Sequence, residues 1–140
     1  YISGGAFLAE DAVLTLRGCL VTENIANITY GGAAFVQDSH LLVEDSELGF
    51  NRAESGGALY MDGTASKLSL ANATLHDNEA SFCGGAVYAT NGASVMATHT
   101  QLAWNVAAIY GGGVALYRAV MAMHGGALLG NTAEEGGWRP

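Results

Sequence analysis

Asn51-Arg52-Ala53-Glu54-Ser55-Gly56-Gly57-Ala58-Leu59-Tyr60-Met61-Asp62-Gly63 is the stretch that decides the fold, because its landmarks return along the whole chain. The first landmark is Asn-x-Ala. It stands at Asn24-Ile25-Ala26, Asn51-Arg52-Ala53, Asn78-Glu79-Ala80, Asn105-Val106-Ala107 and Asn131-Thr132-Ala133, with steps of 27, 27, 27 and 26 residues. A fixed period of this length marks a stack of repeats. The second landmark is a Gly pair five to seven residues after each Asn: Gly31-Gly32, Gly56-Gly57, Gly84-Gly85, Gly111-Gly112 and Gly136-Gly137, with Gly4-Gly5 at the start. Ala and an apolar or aromatic pair usually follow, as in Ala33-Ala34-Phe35 and Ala86-Val87-Tyr88. The copy at Gly111 has a third Gly at 113 before Val114-Ala115-Leu116-Tyr117, which leaves its register open by a residue.

Upstream of each Asn the apolar residues fall into columns. Ten and eight residues before it stand Leu14 and Leu16, Leu41 and Val43, Leu68 and Leu70, Val95 and Ala97, Met121 and Met123. Three before it stand Val21, Leu48, Leu75, Leu102 and Leu128. The spacing of two between the first columns is that of a strand, and no copy shows the three-and-four spacing of a helix. Glu10-Asp11, Gln37-Asp38, Asp62-Gly63 and Asn91-Gly92 supply turn chemistry between two strands of each copy. Such a unit cannot bury its own apolar side, so copies must stack. The expected fold is all-β: a right-handed single-stranded parallel β-helix of about five rungs, one solenoid domain over 1–140. Right-handedness follows the general rule for parallel crossovers. At about 4.8 Å per rung, five rungs make a rod of roughly 24 Å. Asn24, Asn51, Asn78, Asn105 and Asn131 are expected to form an amide ladder along it. Phe35, Tyr60, Tyr88 and Tyr117 are expected to form an aromatic ladder inside the rod, the alternative being an exposed stripe that stacks on sugar rings.

Composition narrows the partners. The chain has 140 residues, 50% hydrophobic and 13% charged, with 20 Gly and a formal net charge of −8. This is not the composition of a disordered chain. Five Lys plus Arg form no basic stripe, so neither nucleic acid nor an anionic membrane surface is an expected partner. Arg118 and His124 interrupt the most apolar stretch, so no membrane-inserting segment is read.

The Asn-x-Ala and Gly-Gly-Ala-apolar strings resemble the repeat of the chlamydial-type polymorphic outer-membrane proteins, which pairs F-x-x-N with G-G-A-[ILV]. The second element stands here as Gly56-Gly57-Ala58-Leu59 and Gly84-Gly85-Ala86-Val87. The first departs, with Val or Leu where the family has Phe. The resemblance covers nearly the whole chain. It implies a right-handed β-helix in an extracellular or surface-exposed passenger region acting in adhesion.

Little chemistry remains once the repeat is subtracted. Asp11, Asp38 and Asp62 read as turn residues along one edge, with a calcium-binding edge as the alternative. Glu44, Asp45 and Glu47 crowd one rung, and no Arg or Lys is read in register with them. His40, His76, His99 and His124 fall at four different offsets, and no metal site or cofactor is expected. Cys19 and Cys83 lie about two rungs apart, beyond disulfide reach. Asn27-Ile28-Thr29 and Asn72-Ala73-Thr74 are candidate N-glycosylation sites, which a eukaryotic secretory origin would put to use.

The expected function is a non-enzymatic extracellular or cell-surface scaffold, structural or adhesive, in the form of a spacer or fibre subunit. The expected partners are further rungs or copies of the chain stacked end to end, and glycans. The alternatives are a polysaccharide lyase or hydrolase, or a carbohydrate-binding module, on the same fold.

Overall fold

The computed structural model describes residues 4–134. The first rung consists of β1 (Phe7–Glu10), β2 (Val13–Arg17), β3 (Leu20–Thr22) and β4 (Ile25–Tyr30). The second consists of β5 (Ala34–Gln37), β6 (His40–Glu44), β7 (Glu47–Gly49) and β8 (Arg52–Ser55). The third has β9 (Leu59–Asp62), β10 (Lys67–Ala71), β11 (Thr74–His76) and β12 (Glu79–Cys83). In the last two rungs the middle strands fuse, giving β13 (Val87–Thr90), β14 (Ser94–Ala103), β15 (Val106–Ala107), then β16 (Val114–Tyr117), β17 (Val120–Leu129) and β18 (Thr132–Ala133).

Every strand pairs in parallel with its counterpart one rung away. The first sheet runs β1-β5-β9-β13-β16, and the third runs β4-β8-β12-β15-β18. The second carries two strands per rung and joins them through β14. The fold is thus a parallel β-solenoid of about five turns. Its inner columns pair as the sequence spacing demands: Leu14, Leu41, Leu68, Val95 and Met121 share one row, and Val21, Leu48, Leu75, Leu102 and Leu128 another. In the middle rungs these residues are fully buried.

The corners are columns of left-handed residues. Gly18, Asp45, Asn72, His99 and Gly125 all have φ between 46° and 69° and bend the second sheet. A second such column, Glu23, Phe50, Asp77, Trp104 and Gly130, lies just before each ladder Asn, with φ between 51° and 59°. This conformation is natural for Gly, Asn and Asp but unusual for Phe and Trp. The two members of the Gly pair have separate jobs. Gly31, Gly56, Gly84 and Gly111 take φ of 64–68°. The second Gly meets the next rung: a Cβ on Gly57 would lie 2.1 Å from the Gly85 carbonyl oxygen.

The spacing between Asn and Gly pair varies because bulges absorb it, between Ala26 and Tyr30 and between Ala80 and Cys83. The fifth rung resolves its open register. Gly113 occupies the column of Ala33, Ala58 and Ala86, accepting the Ala86 amide at 3.0 Å, so Val114 pairs with Val87.

Candidate functional site

Along the third corner the five Asn side chains come together. Each Nδ2 donates to the Oδ1 of the next rung at 2.9–3.0 Å, from Asn24 through to Asn131. The same Oδ1 accepts the backbone N–H of the preceding Asn. The second Nδ2 hydrogen of Asn51, Asn78 and Asn105 reaches back to the carbonyls of Val21, Leu48 and Leu75. Asn51, Asn78 and Asn105 are 0% exposed, and every polar hydrogen of their amides is used. Two serines, Ser39 and Ser46, do similar work at other corners. Ser39 Oγ accepts the Ala12 amide and Ser46 Oγ accepts the Cys19 amide, each one rung away.

The aromatic column lies on the outside. In β9 the inward residues are Leu59 and Met61, so Tyr60 between them faces out, and register places Phe35 and Tyr88 on either side of it. The expectation of an internal ladder is therefore corrected. Alternation alone could not choose, because Ala34, Phe35 and Val36 are all apolar. The rings stack at 5.2 Å between Phe35 and Tyr60 and at 5.0 Å between Tyr60 and Tyr88. Tyr30 leans across from the third sheet, 4.4 Å from Tyr60, and helps to leave Phe35 only 1% exposed. Tyr117 does not belong to this column. It pairs with Thr90, and Ala115 takes the place beside Tyr88. Burial pushes the Tyr60 phenol well above the usual range, helped by Tyr88, Tyr30, Asp62 and Glu54. Burial raises Tyr88 as well, against a hydrogen bond with Thr90 that lowers it.

At the end of the stack the wall is hollow. Phe82, Cys83, Tyr88, Tyr110, Ala115, Leu116 and Tyr117 line a depression of about 350 Å³. Tyr110 and Tyr117 are each 56% exposed, and the Arg118 guanidinium lies 5.5 Å from the centre of the Tyr117 ring.

The charged residues of the walls pair between rungs. Arg17 binds Glu44 at 2.7 Å and Arg52 binds Glu79 at 2.8 Å. The expectation that Glu44, Asp45 and Glu47 have no basic partner in register is thus corrected: Arg17 is one period before Glu44 and pairs with it in the β2–β6 register. Asp45 accepts the Asn72 amide at 2.7 Å. Glu47 and Asp77 hold the two ring nitrogens of His76 at 2.6 and 2.8 Å. Burial alone would lower the His76 pKa, but the hydrogen bonds and charges of Asp77 and Glu47 outweigh it and raise it. The imidazole also packs edge-on against Phe50 and over Gly49, where a Cβ would come within 2.6 Å of the ring.

The remaining expected residues are placed as follows. Asp11 and Asp38 share a left-handed turn column, whereas Asp62 ends β9 and receives the Asn91 amide at 2.6 Å. Among the described residues no three His, Cys, Asp or Glu side chains converge to hold a metal. Asn27 is exposed in the first bulge, and Asn72 sits at the second-sheet corner. Cys19 and Cys83 are free thiols, and burial pushes the Cys83 thiol up despite a backbone hydrogen bond from Tyr110.

No protein-family model matches the chain, and neither the curated proteins nor the solved structures contain a match to it.

Proposed function

We propose that this chain is a non-enzymatic β-helix scaffold of the cell surface or extracellular space, working by stacking: its ends meet further rungs or copies of itself. The observation that carries this reading is the use made of the repeated residues. Ladder amides, Gly pairs and apolar columns are all consumed in joining one rung to the next. The wall carboxylates Glu44, Glu79, Asp45 and Asp62 are likewise engaged by Arg or Asn one rung away, which is structural work. The resemblance to surface passenger repeats agrees with an adhesive role.

The test is assembly and location. Concentrated protein is expected to form rods by electron microscopy, with an axial repeat near 4.8 Å in fibre diffraction. Surface labelling of intact producing cells is expected to reach the chain. A strictly monomeric protein confined inside the cell would overturn the proposal. Turnover of any polysaccharide, abolished by Asp38→Ala, would install the lyase or hydrolase reading in its place. Where the source is eukaryotic, the Asn27 and Asn72 sequons are expected to give a mobility shift on treatment with an N-glycosidase.

The exposed rings of Tyr110 and Tyr117 beside Tyr88, at the end of the stack, favour a second reading, sugar recognition on the side wall, alongside the scaffold role.

A further inference from the structure

The aromatic ladder stops one rung early. Phe35, Tyr60 and Tyr88 occupy successive places at 5.2 and 5.0 Å, about one rung apart. The next place in register belongs to Ala115, whose methyl group cannot fill it. One face of Tyr88 is thus backed by Tyr60, and the other looks onto a gap. Around that gap stand Tyr110, contributed by the bridge between Cys83 and Tyr110, and Tyr117, two residues beyond Ala115 on β16. Phe82 and Leu116 complete the wall, and Arg118 lies beside Tyr117. Tyrosine rings offer an apolar face together with a phenol that donates or accepts. This is the chemistry that recognises a pyranose: its C–H face stacks on a ring, and its hydroxyls meet polar tips. A purely aliphatic occupant would leave the phenols unused.

We propose that the wall carries a saccharide-binding subsite at Ala115, in which one pyranose ring takes the place of the missing ladder residue against Tyr88, flanked by Tyr110 and Tyr117. The proposal rests on the reading of side-wall sugar recognition and does not depend on rung stacking. Binding is of a single ring in an open hollow, so affinity is weak and gains with oligosaccharide length through neighbouring contacts.

Saturation-transfer NMR with methyl glycosides of glucose, galactose, mannose and N-acetylglucosamine, and with their short oligomers, tests it. At least one is expected to receive saturation on its ring C–H protons. Ala115→Tyr completes the ladder: it is expected to abolish that transfer and to raise the melting temperature, which also shows that the variant is folded. Tyr110→Ala and Tyr117→Ala are each expected to weaken binding by about threefold to tenfold, whereas Phe50→Ala, elsewhere on the surface, leaves it unchanged. Absence of transfer to every sugar, or transfer to indole alone, sinks the sugar-recognition reading and this subsite with it. Sugar binding that survives Ala115→Tyr in a folded protein keeps the reading and overturns the subsite.

Discussion

At the scale of single residues, the ladder asparagines carry the largest individual burden. Removing the Asn78 side chain leaves the Asn51 amide without its acceptor and the Leu48 carbonyl without its donor, both in dry surroundings. Each stranded buried group costs about 1–3 kcal/mol, so Asn78→Ala is expected to destabilise the fold by at least about 2 kcal/mol, read from urea unfolding. An unchanged midpoint would show that the ladder is dispensable. His76 makes stability depend on pH. Its pKa is raised in the folded state, so its contribution is fully present below the ordinary histidine value and fades as pH rises through the folded value. A neutral ring has one N–H for two carboxylates, which is why the contact weakens. His76→Gln cannot titrate, so the stability gap between wild type and variant is expected to be widest below the ordinary histidine pKa and to narrow as pH rises above it. A gap independent of pH would refute this.

At the scale of elements, the outer face of the first sheet is held by its aromatic column. Tyr60 contacts Tyr30, Phe35 and Tyr88. Tyr60→Ala is expected to cost about 2 kcal/mol and to lower the near-ultraviolet circular dichroism of the stacked rings without changing the far-ultraviolet spectrum. This is also the scale at which the sequence was hardest to read. The period exposed every inner column, because identical spacing at Leu41, Leu68 and Val95 can only be a shared row. It did not reveal which face Phe35 takes, since its neighbours on both sides are apolar too. It did not reveal Tyr117 either, because Gly113 standing in for an Ala hid the register. The left-handed corners at Phe50 and Trp104 gave no signal, as neither residue type favours that backbone. Arg17 and Glu44 were legible all along, one period apart, as were Glu47 and His76 through the neighbouring rows.

At the scale of the whole molecule, stability is a sum over rungs and their interfaces rather than the property of one closed core. Excising residues 52–78 removes one whole period and rejoins Asn51 to Glu79, which keeps every column in register. That variant is expected to retain a cooperative β-sheet melt at a lower temperature. Excising half as many residues sets inner columns against corners, and the chain is expected to lose its fold. Equal behaviour of the two deletions by circular dichroism would refute a solenoid governed by register.

The Asn ladder also gives the rod a sense of direction. From Asn51 to Asn131 every side-chain oxygen faces the preceding rung, and every inter-amide donation along the ladder runs the same way. The two axial directions at that corner are therefore chemically unlike, one met by amide donors and the other by amide oxygens. Copies joined by a two-fold axis would set like against like at that corner, so a symmetric dimer through the ends is disfavoured. If copies stack head to tail as proposed, repetition of that one joint generates an open, polar filament, whose two tips gain and lose subunits at different rates.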